Sequence, residues 1–334
     1  MYKEDTAKEA SFVSGIILFV LPEEVFFMQP GSFKREARQA RTSMMVLAVV
    51  VVLLLALSAC GGSTPSTSVP TPNSATPTVT PPNDLIVPGT LTVGSDTTYP
   101  PQEYIDTATG KTTGFDVDLI TAIATRMGLK VNVVTTGFNT IIDSLTAKRF
   151  DVVISAVTIN ADRQQKVDFV PYFNAGESLL VPKGNPKNLT SIANACGLKV
   201  GVQNGTVEQT DAQAASSACQ RANKPAIALT VLQDQTAVVQ LLATKRVDAT
   251  YQDSPVTDYY ILQNPGQFQV GGSVVNAAPE GIAVRKGDAS MLTAVQSAFK
   301  QLKTAGTYDA LFKKWQLDNS QKISYLDRRN SAVA

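Results

Sequence analysis

Apolar and polar positions alternate with two different periods between Leu91 and Trp315. From Phe115 to Met127 the apolar residues recur every three or four positions, which predicts an amphipathic helix. From Asp151 to Val157 they form a short, nearly continuous run, which predicts a buried strand. Because strand and helix patterns keep alternating along the chain, the sequence predicts parallel sheets that are covered by helices.

The same succession of elements occurs twice. The first half is predicted to hold strands at residues 91–94, 131–134 and 151–157, with helices at residues 115–127 and around residues 141–145. The second half is predicted to hold strands at residues 199–202, 227–231, 247–251 and 282–284, with helices at residues 207–219, 236–244, 255–262, 289–305 and 308–315. Two such sets predict two α/β lobes over about residues 89 to 320.

A separate apolar stretch lies ahead of this body. Residues 44–59 carry no charge and follow four basic residues between positions 34 and 41, an arrangement typical of an export signal. The stretch ends in Leu57-Ser58-Ala59-Cys60, which resembles the bacterial lipobox, where the cysteine receives lipid and becomes the first mature residue. A plain membrane anchor is the alternative, although the stretch is short for a span of about 20 residues. We expect a leader at residues 1–59 and a lipid on Cys60 that tethers the body to the extracytoplasmic face of the membrane.

Three further segments lie outside the predicted lobes. Residues 1–27 place acidic and apolar residues ahead of the basic region, so we expect translation to begin at Met28. Serine, threonine and proline dominate residues 61–83, a composition that buries too little apolar surface to offset the entropy of ordering. We therefore interpret residues 60–88 as a lipid-anchored disordered linker and residues 321–334 as a tail.

Composition excludes several classes of function. The chain has 29 basic and 28 acidic residues, a net charge of +1, so nucleic acid is not an expected partner. It has no histidine and only three cysteines, which argues against a zinc site and excludes serine–histidine and cysteine–histidine nucleophile pairs. No metal and no cofactor are expected.

Two cysteines remain once Cys60 is assigned to lipid. In an oxidising, exported context we expect Cys196 and Cys219 to form a disulfide, which would contribute about 3 kcal/mol by loop-entropy arguments. The alternative is two free buried thiols.

The segment Gly114-Phe115-Asp116-Val117-Asp118-Leu119 resembles the signature of family 3 of the bacterial solute-binding proteins, which bind polar amino acids for ABC importers. The resemblance extends over about residues 89–317. Its further motifs, in chain order, are Gly94-Ser95-Asp96-Thr97-Thr98-Tyr99-Pro100-Pro101, Ser155-Ala156-Val157-Thr158, Asp162-Arg163, Gly201-Val202-Gln203-Asn204-Gly205-Thr206, Asp248-Ala249, Asp253-Ser254-Pro255, Gly306-Thr307-Tyr308 and Lys313-Lys314-Trp315.

This resemblance implies a two-lobed, periplasmic-binding-protein-like fold of type II, with a hinge and a ligand cleft between the lobes. We assign residues 89–177 and 278–320 to lobe 1 and residues 178–277 to lobe 2. The two hinge crossings are then expected near residues 174–182 and 272–280.

The resemblance also implies which residues hold the ends of an amino acid. Arg163 would bind the α-carboxylate, because a guanidinium is a planar donor that stays charged when buried. Thr158 would add a hydroxyl, and backbone N–H groups near Thr206 would add a helix-terminal anion contact. Asp253 would bind the α-ammonium. The alternatives are a surface salt bridge for Arg163 and a helix N-cap for Asp253.

A second group of residues matches the positions around the ligand side chain. Tyr99 and Phe138 would supply aromatic walls. Asp96 would reach the far end of the side chain, or alternatively would only satisfy a turn. Gln203 stands where some relatives carry lysine, and Ala156 where others carry glycine or serine. The acid at position 96 and the missing lysine favour a polar or basic ligand.

We therefore expect a monomeric binding protein, not an enzyme, that captures a free amino acid and passes it to ABC permease subunits. Two rival interpretations use the same fold. One is a dehydratase acting on prephenate or arogenate, with Asp96 or Glu208 as its general acid. The other is a sensor whose closed form docks on a partner receptor.

Overall fold

The computed structural model describes residues 77–323. The predicted leader, the proposed start at Met28, the lipid-bearing Cys60 and the tail after residue 323 lie outside the described residues. Among residues 77–323, no helix is both long enough and apolar enough to cross a membrane.

The described chain alternates strands and helices, as the sequence pattern predicts. Its strands are β1 (Thr90–Ser95), β2 (Thr98–Tyr99), β3 (Glu103–Ile105), β4 (Thr112–Thr113), β5 (Lys130–Thr135), β6 (Val152–Val153), β7 (Val167–Pro182), β8 (Lys199–Gln203), β9 (Ala228–Leu232), β10 (Ala249–Asp253), β11 (Phe268–Val270) and β12 (Val275–Arg285). Its helices are α1 (Phe115–Arg126), α2 (Ile141–Thr146), α3 (Ala161–Lys166), α4 (Val207–Arg221), α5 (Gln235–Ala243), α6 (Ser254–Gln263), α7 (Ala289–Thr304) and α8 (Thr307–Lys314).

Nine of these strands form one mixed sheet. The strand order is β5-β1-β6-β12-β7-β10-β8-β9, and β11 also pairs with β7. Within each end of the sheet the outer strands are parallel, as in β1 with β5 and β8 with β9. The central strands β7 and β12 are antiparallel to each other and to their other neighbours. A separate three-stranded sheet contains β2, β3 and β4.

Strands β7 and β12 belong to both halves of the molecule. The start of β7 pairs with the end of β12, beside β6, whereas the end of β7 pairs with β10 and β11. The ladder between β7 and β12 has register shifts at Val275/Ala278 and at Glu280/Gly281. The two chain crossings therefore lie in these strands, and the predicted hinge segments, 174–182 and 272–280, overlap both of them.

Each half of the molecule has its own apolar core. We use "first lobe" for β1–β6, α1–α3, α7, α8 and the adjoining ends of β7 and β12, and "second lobe" for β8–β11 and α4–α6. The first-lobe core includes a cluster of aromatic rings that are buried among aliphatic side chains: Phe115, Tyr172, Phe173, Tyr308 and Phe312. The second-lobe core lies between its sheet and α4 and contains Val200, Val202, Ala249 and Tyr251.

Residues 77–88 correct the interpretation of residues 60–88 as a linker throughout. The N–H groups of Thr78 and Val79 both donate to the carbonyl oxygen of Arg126 at the end of α1. Val79 is buried, and Leu85 packs against the first-lobe core. These two apolar side chains interrupt the polar composition, and their burial holds this part of the chain on the lobe.

The end of the described chain also contacts the body, although residues from 321 onward were assigned to a tail. The Gln321 side chain is buried, and the Ile323 N–H donates to the Tyr308 hydroxyl at 3.2 Å.

Cys196 and Cys219 form a disulfide, which confirms the pairing predicted for the two cysteines that remain after Cys60. Cys219 lies near the end of α4, and Cys196 follows a short 3₁₀ turn at Ile192–Asn194. The bridge fastens α4 to the neighbouring loop, on the core side of the second lobe.

Candidate ligand-binding site

A cavity of about 270 Å³, its open mouth included, lies between the two lobes. All nine residues that the resemblance assigns to the ligand line it: Asp96, Tyr99, Phe138, Ala156, Thr158, Arg163, Gln203, Thr206 and Asp253. Four further residues line it as well: Glu103, Ser155, Val207 and Glu208.

Arg163 enters the cavity from α3, whose first turn is capped by Asn160. Its guanidinium donates to the carbonyl oxygen of Thr158 at 2.7 Å and to that of Gly205, in the second lobe, at 3.2 Å. It lies 5.3 Å from the ring centre of Phe138. Within the described residues no carboxylate lies within salt-bridge distance of it, so the alternative of a surface salt bridge does not describe its geometry.

Asp253 approaches from the second lobe, at the junction of β10 and α6. It stands at the N-cap position, yet its side chain makes no capping hydrogen bond. The Tyr99 hydroxyl, from the first lobe, instead donates to Asp253 Oδ2 at 2.7 Å. The carboxylate is therefore directed into the cleft and not onto its own helix, which disfavours the N-cap alternative.

Asp96 accepts four hydrogen bonds. Two come from Thr98, from its N–H at 3.2 Å and its hydroxyl at 2.7 Å. These two bonds satisfy a turn, which was the alternative role for Asp96. The other two come from the Phe138 N–H at 3.1 Å and from Gln203 Nε2 at 2.7 Å. Gln203 belongs to the second lobe, so Asp96 both satisfies a turn and joins the lobes.

Thr206 and Ala156 shape the backbone around the cavity. Thr206 caps α4: its hydroxyl accepts from the Gln209 N–H at 3.1 Å and donates to the Gln203 carbonyl at 2.9 Å. Ala156 has a φ of 45°, which turns the chain away from the sheet and into the cleft. Its N–H donates to Asp116 Oδ2 at 3.0 Å. Asp116, in the Gly114–Leu119 motif, therefore has a structural role.

Sequence reasoning did not assign Glu103, Ser155, Val207 or Glu208 to the ligand site. Ser155 and Glu208 carried a partial signal, because Ser155 lies in a quoted motif and Glu208 stood out as a possible acid. Glu103 carried none. Its position is decided by β3, and the Ser155 hydroxyl donates to its Oε1 at 2.7 Å.

The electrostatics of the cavity are dominated by buried acids around a single basic side chain, Arg163. Burial raises the pKa of Asp253 to about 6 and raises the pKa of Asp96. Burial likewise holds the pKa values of Glu103 and Glu208 well above the usual range of a glutamate. Burial therefore favours the neutral forms of the acids around Arg163.

Nothing in the cavity is organised as a metal centre. Within residues 77–323, no group of three or more acidic, histidine or cysteine side chains is arranged to hold a metal ion. What the arrangement offers is a cation from one lobe and a carboxylate from the other. Such a pair complements a small molecule with charges of both signs.

Sequence comparison places this geometry in a family. The profile of the bacterial extracellular solute-binding proteins, family 3, matches residues 91–318. The chain belongs to this family. Relatives of this solute-binding protein include the L-cystine-binding protein TcyJ of Escherichia coli, 32% identical over 228 residues, which are 68% of this chain and 82% of TcyJ. The lysine/arginine/ornithine-binding periplasmic protein of Escherichia coli is 32% identical over 237 residues, 69% of this chain and 88% of that protein.

Solved structures resemble this solute-binding protein as well. An ancestral arginine-binding protein bound to arginine matches with a TM-score of 0.63 and 37% identity, over 68% of this chain and 98% of that one. The ancestral amino acid-binding protein AncCDT-1, a precursor of cyclohexadienyl dehydratase, matches with a TM-score of 0.62 and 36% identity, over 68% and 95%. These structures are two-lobed, which agrees with the fold described above.

Proposed function

We propose that this chain is the extracytoplasmic substrate-binding component of an ABC importer and captures a polar or basic L-amino acid of the glutamine, arginine, lysine and histidine class. The observation that carries the proposal is the position of Arg163 and Asp253, which line one cavity from opposite lobes. An α-amino acid bound between them places its carboxylate on the guanidinium and its ammonium on the carboxylate. The ligand thereby joins the lobes, and closure of the hinge is coupled to binding.

The charge balance of the cavity supports a polar or basic side chain over an acidic one. Arg163 pairs with the ligand's carboxylate. The acids that remain in the cavity favour a ligand side chain with hydrogen-bond donors or a positive charge. The resemblance assigns Asp96 to the ligand side chain. Gln203, at a position where some relatives carry lysine, provides an amide and therefore no second cation for an acidic side chain. The names of the relatives, which bind cystine, lysine, arginine, ornithine and histidine, support the same class.

A thermal-shift screen of the twenty amino acids tests the proposal. We expect polar or basic L-amino acids to raise the melting temperature and their D-isomers to have little effect. Calorimetry should then give dissociation constants near the micromolar level, about −8 kcal/mol. Stabilisation by aspartate or glutamate alone would contradict the proposed ligand class, and stabilisation by none of the twenty would contradict the function.

Anchoring and delivery need separate tests. Cys60 lies outside the described residues, so we test it by substitution: Cys60→Ser should move the protein from the membrane fraction to the medium or periplasm. Uptake of the labelled ligand, measured in cells with and without the chain, distinguishes transport from sensing. Uptake that does not change when the chain is deleted would favour a receptor as its partner.

A dehydratase is the second candidate, favoured by the buried carboxyl group of Glu208 in the cavity. A carboxyl whose pKa is held high by burial can serve as a general acid at neutral pH. Incubation with prephenate or arogenate, followed by detection of the aromatic product, decides this question. We expect no turnover, and turnover that is lost in Glu208→Gln would replace the binding role with an enzymatic one.

A further inference from the structure

Glu208, like Glu103, is a buried acid of the cleft that takes no part in the proposed binding of the amino acid. It lies in the first turn of α4 and is 2% exposed, although it lines the cavity. Its Oε1 is buried without a hydrogen-bond partner. A buried polar atom without a partner carries a desolvation cost, which a ligand can relieve by forming a hydrogen bond with it.

Charged groups from several elements face this carboxyl. Asp253 at the start of α6 lies within hydrogen-bonding reach of it, and Glu177 on β7 and Arg163 on α3 lie close enough to interact with it electrostatically. Glu208 is the strongest acidic influence on Arg163, and Asp253 is the strongest charged influence on Glu208. Glu208 therefore lies near both residues that are proposed to hold the two ends of the ligand.

We infer that Glu208 is a ligand contact that binds as a neutral carboxyl group, donating a hydrogen bond to the ligand's α-carboxylate and accepting one from its α-ammonium. This inference rests on the proposed function, because it uses the ligand orientation set by Arg163 and Asp253. A protonated carboxyl has one O–H donor and retains acceptor oxygens, so it can serve both ends of a zwitterion. An ionised carboxylate would only accept, and it would repel the ligand's carboxylate beside Arg163.

The surroundings explain why the neutral form is favoured. Burial raises the pKa of Glu208 well above its ordinary value, and Asp253 and Glu177 raise it further. Ionisation of Asp253 for the ammonium makes ionisation of Glu208 less favourable, because like charges close together in a buried site oppose each other. The two acids consequently have different roles: Asp253 supplies the charge, and Glu208 supplies a donor and an acceptor.

Three variants test the inference by calorimetry with an amino acid that the wild-type protein binds. Glu208→Leu removes both the donor and the acceptor, so we expect its affinity to fall at least about tenfold. Glu208→Gln keeps one donor and one acceptor without charge and should recover most of that loss. Gln213→Leu changes an exposed residue of the same helix and serves as the control, with wild-type affinity expected.

Infrared difference spectra report the protonation state of Glu208, which a purely structural role would not require to be neutral. At neutral pH the wild-type spectrum should contain a protonated carboxyl band that is missing from Glu208→Gln. Wild-type affinity in Glu208→Leu would show that Glu208 does not contact the ligand. A Glu208→Gln affinity as low as that of Glu208→Leu, or no difference in the carboxyl band, would show that the ionised form acts. Failure of the wild-type protein to bind any amino acid would instead reject the proposed function.

Discussion

The Tyr99 hydroxyl donates a 2.7 Å hydrogen bond to Asp253 Oδ2 and accepts a 3.2 Å hydrogen bond from the Asp253 N–H. Tyr99 follows the first strand of the first lobe, and Asp253 ends a strand of the second, so this pair joins the lobes at the cavity. The contact fixes the direction of the carboxylate and, by donating to it, favours its ionised form. We expect Tyr99 to prepare Asp253 for the ligand's ammonium group, in addition to lining the cavity.

Removing the guanidinium should abolish binding of all amino acids alike. Arg163→Ala leaves the ligand's carboxylate buried without its partner, a loss of several kcal/mol. Calorimetry with each ligand found in the screen checks this. Lys166→Ala, on the same helix but exposed and paired with Asp143, is the matched control and should bind normally. Tight binding of any amino acid by Arg163→Ala would contradict the assignment.

Affinity should fall as the pH drops below about 6. Burial raises the pKa of Asp253 to about 6, and the ligand's ammonium requires the ionised form. Below this pH a proton must leave before binding, so the dissociation constant should rise by up to about tenfold per pH unit. Calorimetry between about pH 4.5 and about pH 8 measures this rise in the dissociation constant.

Tyr99→Phe provides the control for this pH dependence. Loss of the donor to Asp253 raises the pKa of that carboxyl, so the fall in affinity should begin at a higher pH than in the wild type. An affinity that stays constant down to pH about 5 would contradict the role of Asp253.

Asp253→Asn should bind no amino acid yet be more stable than the wild type without ligand. A carboxyl whose pKa rises from 3.8 to about 6 on folding is destabilising when ionised, by at most about 3 kcal/mol. This destabilisation is absent at pH values below the pKa of the unfolded state. It reaches its full size at pH values above the pKa of the folded state. Urea unfolding should therefore give a gain of about 1–3 kcal/mol at neutral pH that shrinks towards pH about 4. An equal or lower stability at neutral pH would contradict this explanation.

Replacing the disulfide should weaken the fold without changing the site. Cys196 and Cys219 are 23 residues apart, so Cys196→Ser with Cys219→Ser should lower the free energy of unfolding by about 3 kcal/mol. Neither cysteine lines the cavity, so affinity should remain at the wild-type level at temperatures where the variant is folded. Chemical denaturation and calorimetry measure the two effects. Unchanged stability would show that the bridge contributes little.

Gly205 should be needed for closure of the lobes. It has a φ of 83°, and an added Cβ would lie 2.7 Å from the Cα of Asn139 in the opposite lobe. Gly205→Ala should therefore weaken ligand binding by about tenfold or more, since the closed arrangement must open to admit the methyl group.

Gly184→Ala is the control for Gly205→Ala. Its φ is 82°, but nothing lies within 4 Å of the position of an added Cβ. Both variants should lose about 1–2 kcal/mol of stability from left-handed backbone strain, whereas only Gly205→Ala should lose affinity. Equal affinities in the two variants would show that Gly205 does not limit closure.

Elements with a regular hydrophobic period could be predicted closely. The helix expected at residues 115–127 is α1, Phe115–Arg126, and the strand expected at residues 91–94 lies within β1. Strand β7, 16 residues long, was not predicted beyond its hinge segment. Its side chains face the core of the first lobe, then the hinge, then the core of the second, so no single alternation extends along it. Pairing with β12 and β10 holds it in place.

The strand expected at residues 151–157 is shorter in the structure, where only Val152–Val153 pairs as β6. The positive φ of Ala156 turns the chain out of the sheet, and the freed N–H group is satisfied by Asp116. An apolar run gives no indication of such a turn, because the partner that makes it favourable is 40 residues away.

By itself the sequence determined the alternation of strands and helices, the likeness that identifies the family, and the residue types able to hold a zwitterion. Local periodicity and short motifs carry this information, since they depend on neighbouring residues. Only the tertiary structure decided that β7 and β12 serve both lobes, that Tyr99 meets Asp253, and that Glu208 is buried beside Arg163. Each of these relationships depends on pairs of residues far apart in the chain, whose burial and pKa values follow from the packing of both lobes.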